Sequence, residues 1–429
     1  MTTPSPASIL SAVEAGFGEQ VAFTRELTAI PSLRGQEAPA QDFMARAYRA
    51  AGLGVDRFKV ELDAIRHLPG FSPVAVSYDD AWNVVGTSRP RNGSAGRSLI
   101  VNGHIDVVPT GPVELWSAPP FAPHVEGDWL YGRGAGDMKA GLVAGLFALK
   151  ALQRLGLRPA AELYLQSVIE EECTGNGALA CLARGYRAEA ALVPEPMGET
   201  LTKAQVGVIW LQVKVRGRPV HVAVAHDSSG GTGANAIEAA YPLMAALHRL
   251  EAAWNAQKHP AFAGIEHPLN LVVSRIEGGD WTSSVPCWCT FDVRLALYPG
   301  SDLADIRRQV EECLRQAAQQ IPFLANNPPE IAYHGFQAEG YVLENAAEPI
   351  AVLEQSHRAV TGQALERRAG TGTTDARFFG LYAGIPGLVY GPKAEAYHGF
   401  DERVSLSSTL RVTQAIALFI AAWCGVEAA

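Results

Sequence analysis

The chain has 429 residues, 48% hydrophobic and 18% charged, a composition typical of a globular enzyme with about two domains. Its formal net charge of −9, without a polybasic run, argues against nucleic acid or a membrane surface as a partner. The N-terminus lacks a signal-peptide layout, and the apolar stretch AIALFIAAWCGV is shorter than the ~20 residues of a membrane-spanning helix. The six cysteines are scattered and form no C-x-x-C pair, so we expect reduced thiols and a cytoplasmic protein.

Strand-like and helix-like segments alternate between about residues 80 and 195. Buried strands are predicted for RSLIVNGH, AELYLQSVIE and AALVPEP, and helices for MKAGLVAGLFALKALQRLG and GNGALACLARG. This alternation predicts an α/β fold with a mostly parallel sheet. On the first helix, small residues would allow close packing against the sheet: Ala140, Gly141, Ala144 and Gly145.

The pattern changes near residue 204, where GVIWLQVKVRGRPVHV alternates with period two like a half-exposed antiparallel strand. A long helix, two strands, an amphipathic helix and a further strand follow, which together predict a compact α+β domain. Beyond residue 340 come a helix, a strand and a closing helix that Ser405 or Ser407 would cap. We therefore predict a first domain, residues 1–203 and 341–429, into which residues 204–340 are inserted.

Polar side chains follow the predicted strands, where open α/β sheets place their sites. His104 and Asp106 come at the end of the first of these strands and, two residues apart, share one face. Asp137 lies in the glycine-rich turn YGRGAGDMKAG, whose spacing fits neither a G-x-G-x-x-G motif nor a P-loop. Taken alone, the first pair could be an ordinary strand-end hydrogen bond, and Asp137 could cap the next helix.

Three consecutive acids, Glu170, Glu171 and Glu172, follow the next strand, and Glu195 follows the third between two prolines. Such a run is usually a solvated loop. At the end of a core strand, however, the carboxylates repel one another unless a cation lies nearby. His398 lies in the loop AYHGFDERVS before the last helix.

Together these segments would bring two histidines and several carboxylates to one edge of a sheet. Such ligands suit Zn²⁺, Mn²⁺ or Co²⁺ better than Ca²⁺ or Mg²⁺. Five ligands exceed one tetrahedral zinc site but suit two ions that share a bridging carboxylate. In this interpretation His104 is a ligand, and Asp106 orients its imidazole.

Five motifs occur along the chain in the order GHIDVVP, LYGRGAGDMKAG, EEECTG, PEP and YHGFDE. Over nearly the whole chain they resemble the co-catalytic metallohydrolase family that contains acetylornithine deacetylase, succinyl-diaminopimelate desuccinylase, aminoacylase and carboxypeptidase G. The resemblance implies a zinc-peptidase-like α/β catalytic domain with an inserted α+β lid and dimerisation domain. It also implies a homodimer formed through that lid.

The resemblance implies a metal-binding role for five residues. Asp137 would bridge two divalent ions, for which zinc is the first choice and cobalt or manganese the alternatives. His104 and Glu195 would complete one metal site, and Glu172 and His398 the other.

The same resemblance assigns the catalytic groups. Glu171 would be the general base in the hydrolysis of an amide bond, and Asp106 would orient His104. Glu170 occupies a supporting position at which the family usually has Asp. His221 would stabilise the oxyanion, from the partner subunit, with His226 as the alternative histidine in the same stretch.

Further residues are implied as substrate contacts. Arg294, in FDVRL, matches a lid arginine that binds substrate carboxylates, and Asn235 belongs to the lid motif that follows His221. The loop GTGTTDARFF resembles a substrate-side loop and contributes Thr373, Asp375 and Arg377.

The sequence is compatible with several related amide substrates. An acetylornithine-like deacylase acting on an N-acyl amino acid is the first interpretation, since Arg294 and Arg377 suit a carboxylate-bearing ligand. A dipeptidase or carboxypeptidase is the second, and an amidase for a non-amino-acid N-acyl or N-formyl compound is the third. A metal-binding dimer without catalysis is disfavoured, because Glu171 and all five ligand positions are intact.

Overall fold

The computed structural model describes residues 4–91, 93, 95–225 and 233–429. The helices within these ranges are α1 (Pro6–Thr28), α2 (Ala38–Ala50), α3 (Leu62–Ile65), α4 (Ala140–Arg154), α5 (Asn176–Ala183), α6 (Ala236–Asn255), α7 (Leu303–Gln319), α8 (Ala347–Thr361) and α9 (Leu406–Trp423). The N-terminus of α9 is capped by Ser405, one of the two serines that the sequence offered for this position.

Strands before the insertion are β1 (Gly54–Lys59), β2 (Trp82–Ser88), β3 (Leu99–His104), β4 (His124–Glu126), β5 (Trp129–Tyr131), β6 (Leu157–Pro159), β7 (Leu163–Val168), β8 (Ala190–Val193) and β9 (Leu201–Gln205). The inserted segment contains β10 (Gly207–Arg216), β11 (Leu271–Gly278), β12 (Trp288–Leu297) and β13 (Glu330–Ala338). The strands that follow are β14 (Tyr341–Val342), β15 (Arg367–Gly370), β16 (Gly387–Val389), β17 (Ala394–Glu395), β18 (Arg403–Ser405) and β19 (Val426–Ala428).

A six-stranded sheet of order β1-β2-β7-β3-β8-β16 forms the centre of the first domain. The four strands β7, β3, β8 and β16 are parallel, as the alternating pattern predicts, while β1 and β2 add an antiparallel edge. Every residue of β3 is buried, because helices and neighbouring strands cover it on all sides. The carboxyl ends of three adjacent parallel strands therefore meet at one edge of this sheet.

Small residues on α4 allow the close packing that the sequence predicts. A Cβ atom at Gly141 would lie 1.9 Å from the carbonyl oxygen of Pro194, and one at Gly145 would lie 2.8 Å from the side chain of Val101. Both distances are shorter than real carbon contacts, so only glycine allows this approach. The start of α4 is thereby held against the ends of β3 and β8, where the candidate site lies.

One helix in the described part of the chain, α9, is apolar and long enough to cross a membrane, with a mean hydropathy of 1.3. It is longer than the apolar stretch marked in the sequence, because it begins at Leu406. Of its residues 67% are buried inside the protein, where it packs against α4 and α8. The helix α9 is therefore part of the protein core.

The inserted segment forms a four-stranded antiparallel sheet of order β11-β12-β10-β13. Alternate residues of β10, such as Leu211 and Val213, point toward α6 and α7 and form a separate hydrophobic core with them. The main core of the first domain instead combines residues from Ile9 to Leu201 with residues from Tyr341 to Cys424. The division at residues 204 and 340 stays a prediction, and the two cores lie on either side of it.

Candidate metal centre

The candidate site lies at the carboxyl ends of β7, β3 and β8, which are neighbours in the sheet. His104 is the last residue of β3, the turn Glu170–Glu172 follows β7, and Glu195 follows β8. Because parallel strands end at the same edge, residues up to 91 positions apart in the sequence converge there. Their side chains are buried, with His104 1% and Glu195 4% exposed.

The imidazole of His104 is oriented by Asp106 through the main chain. Its Nδ1 lies 2.9 Å from the carbonyl oxygen of Asp106, whereas the nearer carboxylate oxygen of that residue is 3.6 Å away. β3 ends at His104, so the two side chains do not continue along one strand face as the spacing predicts. The Asp106 carboxylate instead accepts hydrogen bonds from the amides of Glu171 (3.2 Å) and Glu172 (3.1 Å). Asp106 thus fixes both His104 and the acidic turn.

Asp137 lies in the turn Ala135–Lys139 just before α4, where its own backbone is not helical, and it does not cap that helix. The turn is held by the buried carboxylate of Glu402, which accepts hydrogen bonds from the amides of Gly134, Gly136 and Asp137 at 2.9–3.0 Å. Arg133, itself 1% exposed, donates to the same carboxylate at 2.6 Å. These contacts aim Asp137 at the two histidines.

The two carboxylate oxygens of Asp137 face different histidines. Oδ1 lies 3.2 Å from Nε2 of His104, and Oδ2 lies 3.4 Å from Nε2 of His398. His398 also lies 3.1 Å from Oε2 of Glu172, while His104 is 3.9 Å from both Glu171 and Glu195. The five predicted ligands and Glu171 therefore form one cluster, with Asp137 between its two halves.

Burial and crowding of like charges shift the pKa values in this cluster. Burial raises the pKa of Glu171 and of Glu195 well above the usual range, and nearby acids add to the effect. Burial alone would lower the pKa of His104, but its hydrogen bond to Asp137 and the surrounding carboxylates raise that pKa well above its usual value. The cluster thus holds more negative charge than its side chains neutralise.

Two features of the cluster fit a divalent cation. The ligand atoms of His104, Glu171 and Glu195 lie within 4.8 Å of one another, and so do those of His104, Asp137 and Glu172. Among the described residues, Oε1 of Glu172 is buried without a hydrogen-bond partner. A bound cation would satisfy that oxygen and relieve the repulsion between the acids, and imidazole with carboxylate is a ligand set suited to zinc.

The lid residues are placed apart from this cluster. His221 is exposed, and its Nδ1 accepts a hydrogen bond from the amide of Ala223 at 3.1 Å. Asn235 caps α6 by accepting bonds from the amides of Ile237 and Glu238. His226 lies outside the described residues. Within one subunit these contacts give His221 and Asn235 local structural partners, and no described contact joins them to the metal cluster.

Arg294 lies where the inserted domain meets the first domain. It is on β12 opposite Trp210, and its guanidinium lies 3.4 Å from the carbonyl oxygens of Asn270 and Thr371. The loop that begins at Thr371 also carries Thr373, whose hydroxyl lies 3.4 Å from Nε2 of Gln205. Arg294 therefore faces the predicted substrate-side loop.

Asp375 and Arg377 are both buried, at 2% and 1% exposure. Arg377 donates to the carbonyl oxygen of Thr174 at 3.1 Å and stacks on Phe378. Burial raises the pKa of Asp375 to about 7, and its Oδ2 has no hydrogen-bond partner among the described residues. Asp375 is one of the acids that add to the raised pKa of Glu171, and His104 acts in turn to lower the pKa of Asp375.

Several residues of the site were not identified from the sequence. Glu402 and Arg133 lie within the quoted motifs YHGFDE and LYGRGAGDMKAG, so the motifs carried a signal for them. Arg34 and Tyr78, which bind the Glu170 carboxylate, lie 136 and 92 positions away from it and carry no local signal.

Comparison with known proteins agrees with this geometry. The sequence profile described as peptidase family M20/M25/M40 matches residues 100–422. The chain is 29% identical over 442 residues, covering 98% of both sequences, to an N-formyl-4-amino-5-aminomethyl-2-methylpyrimidine deformylase of Halalkalibacterium halodurans. It is 31% identical over 363 residues to a deformylase of the same description from Bacillus subtilis, covering 80% of this chain and 83% of that one.

A solved structure shares the fold at much lower sequence identity. The di-peptidase Dug1p from Saccharomyces cerevisiae superposes with a TM-score of 0.79, covering 99% of both chains at 12% identity. This likeness establishes a common architecture for the whole chain, including the inserted domain.

Proposed function

The chain belongs to peptidase family M20/M25/M40 and is a metal-dependent hydrolase, and we propose that it removes a formyl group from the nitrogen of a small amine. The observation that carries this proposal is the similarity, over 98% of both sequences, to an enzyme named as a deformylase of an aminomethylpyrimidine. The substrate class is thus an N-formyl aminomethyl heteroaromatic compound. This falls under the third interpretation of the sequence, and acetylornithine as substrate stays a prediction.

We propose two divalent cations as cofactors, with zinc as the first choice and cobalt or manganese as alternatives. Asp137 would be the shared ligand, since its two oxygens face His104 and His398. Glu195 would complete the half around His104, and Glu172 the half around His398. When bound, such cations supply Lewis acidity, which acidifies water and polarises the scissile carbonyl.

The remaining chemistry falls to side chains of the protein. Glu171 would accept the proton of the attacking water and return it to the nitrogen of the leaving amine. Its amide is held by Asp106, which fixes the position of its carboxylate relative to His104. Both groups are almost fully buried, so bulk water does not compete for these hydrogen bonds.

Substrate contacts are proposed at the junction of the two domains. Arg294 and the loop that carries Thr373 face each other there, and the same loop carries the buried side chains of Asp375 and Arg377. We assign the recognition of the substrate to these residues, with Asn235 as a further contact on the lid. The lid would close over this junction and exclude water.

We further propose a homodimer formed through the inserted domain, in which His221 serves the site of the partner. His221 is exposed and has no described contact with the metal cluster of its own chain. The protein is proposed to be cytoplasmic, because α9 is a buried core helix and all six cysteines, which lie in the described part of the chain, are free thiols.

A substrate panel tests the proposed function. The enzyme, loaded with zinc, cobalt or manganese, would be offered N-formyl-4-amino-5-aminomethyl-2-methylpyrimidine, N-acetylornithine, N-succinyl-diaminopimelate and a dipeptide. We expect kcat/KM to be highest for the formyl compound, with formate released, and we expect a chelator to abolish turnover that added metal restores. A preference for the dipeptide or the acetyl compound would replace the deformylase assignment. Metal binding without turnover of any amide would favour a non-catalytic role.

Mixed dimers test whether His221 acts in the partner subunit. We expect co-purified His221→Ala and Glu171→Gln chains to recover about a quarter of the wild-type rate, although each variant alone is nearly inactive. The reason is that half of the dimers would contain one site with Glu171 and a partner's intact His221. If His221 acts within its own chain, every site in the mixture lacks one group and no rate returns. Sedimentation velocity on each sample would establish that dimers have formed.

A further inference from the structure

We propose that Arg34 and Tyr78 are positioning residues, which act through Glu170 on the turn that carries Glu171 and Glu172. Neither residue lies in a motif that the sequence analysis connected with the site. Both come from segments before β3, far from the acidic turn in the sequence. The inference rests on the proposed role of Glu171 as general base, and the experiment below separates the failure of one from the failure of the other.

The carboxylate of Glu170 is bound on both oxygens. Arg34 donates to Oε1 through Nε and to Oε2 through Nη2 (2.8 Å), which is a bidentate ion pair. The Tyr78 hydroxyl donates to Oε2 at 2.7 Å, and the Thr174 hydroxyl lies 3.2 Å from the same oxygen. Since the Glu170 side chain is only 2% exposed, these groups replace the water that a carboxylate normally binds.

The backbone of the acidic turn depends on this arrangement. Glu170 has φ = 63°, in the left-handed region that favours glycine, and its carbonyl oxygen accepts hydrogen bonds from the amides of Thr174 (2.9 Å) and Gly175 (2.7 Å). Asp106 binds the amides of the next two residues. The turn is therefore held in two ways: Arg34 and Tyr78 bind the side chain of Glu170, and Asp106 binds the backbone amides that follow it.

Fixing the turn fixes the two functional carboxylates. Glu171 and Glu172 directly follow Glu170, so a rotation at Glu170 would move both away from His104 and His398. Loss of Arg34 would also leave Glu170 as an uncompensated buried charge beside two other acids. We therefore expect Arg34 and Tyr78 to influence the rate of the chemical step more than the binding of substrate.

The chain contains a matched control for these contacts. Arg184 donates to Asp56 through Nε (2.6 Å) and Nη2 (3.0 Å), and the Tyr186 hydroxyl donates to the same carboxylate at 2.7 Å. This triad has the same donor and acceptor groups as Arg34, Tyr78 and Glu170 but is more exposed, at 48% for Arg184 and 32% for Asp56, and it joins the end of α5 to β1 rather than the acidic turn. A comparison of Arg34→Met with Arg184→Met therefore separates an effect on the position of the catalytic groups from an effect on the stability of the fold.

The experiment measures kcat, KM, bound metal and Tm for Arg34→Met, Arg34→Lys, Tyr78→Phe, Arg184→Met and the double variant Arg34→Met/Glu170→Gln. The substrate is whichever panel compound the wild-type enzyme hydrolyses. We expect Arg34→Met to lower kcat by about 10–100-fold in metal-saturated enzyme, with KM unchanged and metal held less tightly, because Glu172 belongs to the same turn. Arg34→Lys should restore part of the rate because it keeps the charge. The double variant should be no slower than Arg34→Met, because the buried charge is gone, and Arg184→Met should keep wild-type kcat.

Specific results would overturn the proposal. One is a fall in Tm without a fall in kcat for Arg34→Met, and another is an equal loss of kcat in Arg184→Met. If Glu170→Gln lowers kcat further on top of the loss caused by Arg34→Met, then Arg34 does not act through Glu170. If Arg34→Met fails to fold, Tyr78→Phe decides, since it removes a single hydroxyl and should lower kcat at constant KM. Full activity of Glu171→Gln would instead refute the proposed role of Glu171 as general base.

Discussion

The Glu171→Gln variant is expected to lower kcat at least about a hundredfold while the protein keeps its bound metal. The amide is nearly the same size as the carboxylate, but it cannot accept a proton from water at neutral pH. The backbone N–H of residue 171, which donates a hydrogen bond to Asp106, is unaffected by the substitution, so the turn should keep its conformation. The loss should therefore appear in kcat, with KM close to that of the wild-type enzyme.

The measurement is steady-state kinetics on metal-loaded enzyme, with the metal content of each sample determined by mass spectrometry. The control is Glu266→Gln, which makes the same chemical change at an exposed position of the inserted domain and should leave kcat unchanged. A metal-loaded Glu171→Gln enzyme with a near-wild-type rate would remove Glu171 from the role of general base.

The Asp137→Ala variant is expected to have the largest effect, a loss of bound metal and a fall in kcat of at least about a thousandfold. The two carboxylate oxygens of Asp137 face His104 and His398, so this one substitution removes a ligand from both halves of the cluster. Two neighbouring cations also repel each other, and an anionic ligand between them offsets part of that repulsion.

The metal content of Asp137→Ala would be compared with that of Asp79→Ala, whose exposed carboxylate accepts a hydrogen bond from the neighbouring Ser77. Circular dichroism would show whether both variants are folded. The prediction is wrong if Asp137→Ala retains two metal ions per chain or hydrolyses the substrate at a rate within tenfold of the wild type.

The sequence predicted the fold where the pattern of apolar residues is periodic. β3, α4, β7 and β8 occupy the predicted segments, and the close approach of α4 at Gly141 follows from its small residues. The antiparallel edge made by β1 and β2 was not predicted, because β1 lies before the region in which strands and helices alternate and β2 lies at its very start. Pairing between strands is a long-range property, which no local pattern specifies.

Asp106 shows a similar limit within the site. Its spacing from His104 predicted a contact between the two side chains, but His104 Nδ1 lies closer to the carbonyl oxygen of Asp106 than to its carboxylate. Which of the two oxygens faces the ring depends on where β3 ends. The amides of Glu171 and Glu172, which belong to another strand end, attract the carboxylate.

By itself, the sequence indicated the type of chemistry, because two histidines and several carboxylates that end neighbouring strands suit a bound cation together, although none of them does so alone. It also determined the family, because five motifs in a fixed order are unlike a chance pattern. Only the tertiary structure decided how those residues are held in place: Glu402 beneath Asp137, and Arg34 with Tyr78 on Glu170. The physical reason is that a buried carboxylate must find donors wherever the folded chain supplies them, and those donors come from positions that no local spacing reveals.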